Sequence, residues 1–179
     1  MEHLWAPWRK AYLDDPTPPK STLFEEIARE SRDRENLVLL RGRTSFGLLN
    51  RFPYNAGHSM VVPYRPVARL DQLTETELLE AMALLRKLLS ALERAFAPHG
   101  FNIGLNQGAA AGAGIEGHLH WHLVPRWSHD ANFMTTTAGT RVHPSDLETV
   151  YRLLHDSLQG EEPSSPSPDS PRPSPGAAS

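Results

Sequence analysis

One stretch constrains this chain more than any other: His118-Leu119-His120-Trp121-His122-Leu123-Val124. Histidine and apolar residues alternate there without a break. Successive side chains of a β-strand point to opposite faces. As a strand, the stretch brings His118, His120 and His122 onto one face, with neighbours about 6.5 Å apart. Leu119, Trp121 and Leu123 take the other face and can enter a core. The chain holds nine histidines in 179 residues. Three of them in strict alternation mark a site, because a merely solvated strand face would use Lys, Glu or Thr.

Two chemistries fit three imidazoles on one face. Neutral imidazole is a common zinc ligand, and His-x-His on a strand is a usable spacing. Alternatively, one imidazole acts as a nucleophile, with one nitrogen free and the other held by a hydrogen bond. The preceding loop, Asn106 to Gly117, is rich in Gly and Ala. Such residues let backbone approach a ligand, and successive N–H groups can form an anion-binding concavity. An Ala/Gly loop by itself is only a loop. Beside three histidines it reads as a phosphate cradle and favours the nucleophile.

The rest of the sequence supplies a scaffold. Leu37–Leu40, Ser45–Leu49 and Ser59–Pro63 read as three short adjacent strands, most simply an antiparallel meander. Leu23 to Arg32 reads as a short helix. A long helix is expected from Glu75 to Ala97, with Thr74 and Glu77 forming a capping box. Leu78, Met82, Leu85, Leu89, Leu92 and Phe96 recur along it at helical spacing. Phe101–Leu105 and His118–Val124 are further strands. A last helix can start at Ser145, with Glu148 three residues on, and reach about Leu158. Strands, then a helix, then strands imply an α+β fold, mainly antiparallel sheet with one long helix and a C-terminal helix packed on it.

Composition sets the outer limits. The final nineteen residues, 161–179, carry six of the sixteen prolines and −2 of the net charge of −3. With almost nothing apolar to bury, they read as a disordered tail behind a single domain over residues 1–160. That domain is near neutral, which argues against a nucleic-acid partner. No apolar run is long enough to span a membrane. Cysteine is absent, so no disulfide framework or Cys-based zinc module can form. The first ten residues lack the apolar core of a signal peptide, and a cytoplasmic location is expected. Leu4, Trp5, Trp8, Tyr12 and Leu13 are too apolar for a free arm and should lie on the body or on a second subunit.

The triad resembles the signature of the histidine triad (HIT) superfamily, His-φ-His-φ-His-φ-φ with φ apolar, position for position. Asn50 to His58 with Met60–Pro63, and Asn102–Asn106 with the glycine-rich loop, resemble the family's neighbouring strands. Val124-Pro125-Arg126, Asp130–Phe133 and Leu4–Arg9 resemble bacterial dinucleoside-polyphosphate phosphorylases and the Fhit-like branch. The similarity covers most of residues 4 to 158. It implies that His120 attacks the α-phosphorus of a nucleotide, forming a nucleotidyl-histidine that phosphate or water resolves. It implies that His118 and His122 flank the phosphates and fix the His120 tautomer. His58 matches a fourth histidine near the site, and equally reads as one that only tethers a strand end. Asn50 matches a ribose contact and Asn106 a phosphate contact, with Gln107 as the neighbour that could replace it. Gly108 and Gly112 belong to the cradle. Phe46 and Leu48 either pack on the base or are ordinary core.

The resemblance further implies a dinucleoside polyphosphate substrate, diadenosine tetraphosphate above all, and a homodimer whose sheet continues across the interface. No cofactor is required, although magnesium can accompany the substrate. Some members bind a structural zinc through Cys-x-x-Cys, the first triad histidine and one later histidine. Thr22, Glu25 and Pro66 stand at three of those positions, so no structural zinc is expected. Two rivals remain at this point: hydrolysis of adenylyl amidates, and a nucleotide sensor using the triad only for affinity.

Overall fold

A computed structural model describes residues 21–128, 130 and 146–160. The amino-terminal aromatic segment, the 161–179 tail and Ala131–Phe133 lie outside them. Five strands form one antiparallel sheet: β1 (Val38–Arg41), β2 (Ser45–Leu49), β3 (Ser59–Pro63), β4 (Gly100–Leu105) and β5 (Trp121–Arg126), in the spatial order β1-β2-β3-β5-β4. The expected meander is present in β1-β2-β3. β5 then enters between β3 and β4, pairing Met60 with His122 on one side and Gly104 with His122 on the other.

Among the described residues, three α-helices pack on this sheet: α1 (Leu23–Arg29), α2 (Glu75–Phe96) and α3 (Leu147–Gln159). The α2 start is the one the sequence predicts. Thr74 Oγ1 accepts from Glu77 N–H, and the Glu77 carboxylate accepts from Thr74 N–H at 2.8 Å. The far end turns on Ala97 in a left-handed conformation. The buried stripe differs from the expected one. It runs through Ala81, Leu84, Leu85, Leu88, Ala91 and Leu92, whereas Met82 is 41% exposed. Leucine is abundant around much of this helix, so spacing alone did not fix its rotation; packing against the sheet did.

Other boundaries move for identifiable reasons. α1 ends at Arg29, where Glu30 turns to extended backbone and the Arg41 guanidinium donates to the carbonyls of Ile27, Ala28 and Glu30. α3 is capped by Asp146, which accepts from Thr149 N–H at 2.8 Å. Glu148 pairs instead with Arg34.

The sheet has two packed faces. α2 and α3 cover one, burying Leu49, Val61, Leu119, Trp121 and Leu123 against Leu88, Leu92, Val150 and Leu154. α1 lies over the other, where Phe24, Ile27, Phe46, Leu48, Met60, Val62 and Ile115 form a smaller cluster. Phe46 and Leu48 are therefore core. Glycine lets α2 approach: a Cβ on Gly47 would stand 3.1 Å from Leu88 Cδ1. Gly57 has φ +75°, and a Cβ there would come within 2.7 Å of Leu92 Cδ2. The turn that delivers His58 to β3 thus depends on glycine twice, for conformation and for space.

Candidate active site

The apolar alternation holds, but the ladder begins later than expected. β5 starts at Trp121, so His118 and His120 precede the paired strand. In place of a strand neighbour, Leu119 N–H donates to Val67 O at 2.7 Å. The faces are nevertheless partitioned as the sequence requires. Leu119, Trp121 and Leu123 enter the helix-side core, and the histidines face α1.

Each imidazole is fixed by a partner that also decides its tautomer. His120 Nδ1 lies 2.9 Å from His118 O. A carbonyl only accepts, so Nδ1 carries the proton and Nε2 keeps a lone pair. Tyr54 N–H donates to His58 Nδ1 at 3.0 Å. The His58 proton is therefore on Nε2, which donates to His122 Nδ1 at 3.0 Å. His122 in turn carries its proton on Nε2. The four histidines thus present one nucleophilic nitrogen and one N–H donor on adjacent rings, whose centroids are 4.9 Å apart.

Burial favours the neutral form of His118 and His120. His120 is 6% exposed and His118 fully buried. Loss of hydration pushes both imidazoles below the ordinary value of 6.5, outweighing the hydrogen bonds to Pro63 O and His118 O. A neutral His120 retains its lone pair at neutral pH.

His118 requires a correction. It was expected to touch phosphate oxygens, but its Nε2 donates to Pro63 O at 2.7 Å inside the protein. Its Nδ1 has no hydrogen-bond partner among the described residues. The Pro63 contact anchors the backbone whose carbonyl orients His120, so His118 acts as a strut.

Of the remaining expected residues, Asn50 adjoins this cluster and the others lie in the loop after β4. Asn50 N–H donates to His58 O at 2.8 Å, and its Oδ1 accepts from Phe52 N–H. Asn50 therefore stands beside His58 at the end of β2. Gly108 and Gly112 have φ +81° and +84°, flanking a 3-10 turn at Ala109–Ala111. Asn106 Nδ2 lies 3.5 Å from Gly112 O and spans that loop. Gln107 turns elsewhere: its Oε1 accepts from Leu70 N–H at 2.9 Å, tying the loop to the segment before α2.

Two residues at the site were not found in the sequence. The Tyr54 ring stacks on His58 at 4.7 Å. Phe24 of α1 lies 5.4 Å from His118 and 5.1 Å from His120. Tyr54 is a near neighbour of His58, and that proximity was its available signal. Phe24 is remote in sequence and carries no local signal.

The zinc positions do not suit a metal. Thr22 Oγ1 donates to Glu26, Glu25 pairs with Arg29 on the surface, and His118 Nε2 is held by Pro63 O. Pro66 has no side-chain donor atom. Among the described residues, no cluster of His, Asp and Glu could hold a metal ion.

Comparison with known proteins gives the family. The HIT domain family model matches residues 32–129. The chain belongs to the HIT family. It is 44% identical over 162 residues to the AP-4-A phosphorylase of Mycobacterium tuberculosis (strain ATCC 25618 / H37Rv), covering 86% of this chain and 83% of that protein. It is 36% identical over 112 residues to the asymmetrical bis(5'-nucleosyl)-tetraphosphatase of Schizosaccharomyces pombe, covering 63% of this chain and 58% of that one. A Zn-bound histidine triad family protein from Mycobacterium smegmatis superposes with TM-score 0.63 at 26% identity, covering 77% of this chain and 93% of that one.

Proposed function

We propose that the chain is an enzyme that cleaves dinucleoside polyphosphates, diadenosine tetraphosphate in particular, by transferring a nucleotidyl group to His120. One observation carries the reading. The hydrogen bond from His120 Nδ1–H to His118 O leaves the Nε2 lone pair as nucleophile, beside the His122 donor. The relatives named above supply the substrate class.

In this reading Nε2 of His120 forms a bond to the α-phosphorus, and the bond to the polyphosphate leaving group breaks. The leaving polyphosphate is a weak base, so a hydrogen bond from His122 Nε2–H suffices. His58 holds His122 in the tautomer that can give it. One difficult displacement becomes two easier ones, and fixed donors meet the developing charge. Phosphate or water then attacks the nucleotidyl-histidine and releases ADP or AMP. Asn50 contacts the ribose, and Asn106, Gly108 and Gly112 line the phosphates. The triad works without a metal, while magnesium can accompany the polyphosphate. Because burial holds His120 below 6.5, the acid limb of kcat/KM lies below that pH.

Incubation with diadenosine tetraphosphate, with and without inorganic phosphate, tests the reading. ADP plus ATP formed only with phosphate identifies phosphorolysis, and AMP plus ATP identifies hydrolysis. Paired ADP without phosphate would contradict attack at the α-phosphorus. A faster reaction with an adenylyl amidate would overturn the substrate class.

The same reading includes a homodimer joined through β4. This strand lies at the edge of the sheet, with Asn102 and Gly104 exposed and Ile103 52% exposed. Light scattering at the mass of one chain would reject it. Among the described residues no helix is long and apolar enough to cross a membrane, which suits a cytoplasmic enzyme.

A further inference from the structure

We propose that Phe24 is a positioning residue for the nucleophile: its ring forms the wall that holds the His120 imidazole in register and keeps water from it. The inference rests on His120 being the nucleophile. It concerns a residue outside the 32–129 region that the family model matches.

The His120 ring is held from three directions. His118 O takes Nδ1–H at 2.9 Å. The His122 ring meets it at 4.9 Å and an interplanar angle of 68°. Phe24 meets it at 5.1 Å and 57°, and meets His118 edge-on at 5.4 Å and 80°. A single hydrogen bond can break, and an imidazole that swings away from His118 O is free to take either tautomer. Packing against the Phe24 and His122 rings opposes that movement, and correct orientation of a reacting atom is worth large factors in rate.

Phe24 is itself held firmly. It is 3% exposed, inside the cluster with Ile27 and Ile115. Its helix is only seven residues long, too short to persist unaided. Arg41 supplies the support. Its guanidinium donates to Ile27 O, Ala28 O and Glu30 O at 2.9–3.2 Å and to Asp33 Oδ1 at 2.7 Å. A strand residue thus pins the helix end that carries the aromatic wall. The groups that can charge around His120 are His118 and His122 directly, His58 behind His122, and Glu25 beside Phe24. Among these, Phe24 contributes no charge; it contributes exclusion of water.

The test uses the full chain with Phe24→Leu, which keeps an apolar side chain and removes the ring. We expect kcat on diadenosine tetraphosphate to fall about tenfold, with KM changed less than about twofold. Long-range proton–nitrogen spectra should show His120 as one Nδ1–H tautomer in the unmodified protein and as a mixture in the variant. The acid limb of kcat/KM should move up towards pH 6.5. Ile27→Val, in the same cluster but with no ring to stack on an imidazole, should leave kcat unchanged. An unaltered kcat with a single Nδ1–H tautomer in Phe24→Leu overturns the proposal. If that variant fails to fold, the same spectra on Phe24→Met decide, a single tautomer counting against it. Full turnover by His120→Asn would instead defeat the nucleophile assignment, while the tautomer measurement would still decide the role of Phe24.

Discussion

The two faces of the sheet are built to different rules. On the α2–α3 face, aliphatic side chains and Trp121 close a large cluster in which the buried hydroxyls are each hydrogen-bonded to backbone carbonyls. Tyr151 OH donates to Val38 O at 3.0 Å, and the buried Ser157 hydroxyl donates to Ala91 O and accepts from Arg94. On the α1 face, a smaller apolar cluster adjoins four histidines whose ring nitrogens bond backbone atoms or one another. The first face gains stability from area removed from water. The second gives up some of that gain, leaving the His118 Nδ1 acceptor without a partner among the described residues, to hold imidazoles neutral and oriented. The same strand serves both, because its side chains alternate.

This division can be broken experimentally. The largest effect belongs to the histidine face: His120→Asn should lower kcat by about 10⁴-fold or more, with nucleotide binding and Tm little changed. Retained turnover would end the proposed mechanism. Next, Leu88→Ala on the helix face should cost about 3–4 kcal/mol of stability, read by denaturant unfolding. Its kcat per folded molecule should stay at the unmodified value. A specific loss of kcat there would show that the faces are not separable. His58→Gln should reduce kcat about 10²-fold, by releasing His122 from its tautomer, with a smaller effect on KM.

The smallest effect lies away from both faces. The Arg65 guanidinium, helped by Thr74, holds the Glu77 carboxyl at about 2, against an ordinary 4.5. A folded-state value below the unfolded one stabilises above pH 4.5 and is lost as pH falls towards 2. Glu77→Gln should therefore cost about 1 kcal/mol near neutrality, since Arg65 is half exposed. The Tm gap from the unmodified protein should close between pH 4.5 and 2. A gap independent of pH would assign the role of Glu77 to packing alone.

Much of the fold was legible because its signals are local. Thr74 and Glu77 mark one helix start, and the 118–124 alternation separates core from chemistry without any knowledge of the partner strands. What remained hidden depends on neighbours distant in sequence. The rotation of α2 is decided by the strands it rests on. The late start of β5 is decided by where pairing with β3 and β4 stops, at Trp121. The site divides in the same way. That the three histidines share one face, apart from Leu119, Trp121 and Leu123, could be read directly. The burial of His118 against Pro63 and the wall formed by Phe24 are tertiary facts, which no spacing rule contains.

The sheet order has a kinetic consequence. β5 lies inside the sheet although its two neighbours are joined through the whole of α2. The His58–His122 hydrogen bond joins residues 64 apart, so loop closure must precede it and such contacts form slowly. A chain refolding from denaturant should regain α2 before it regains a competent histidine cluster. Return of turnover would then mark insertion of the last strand.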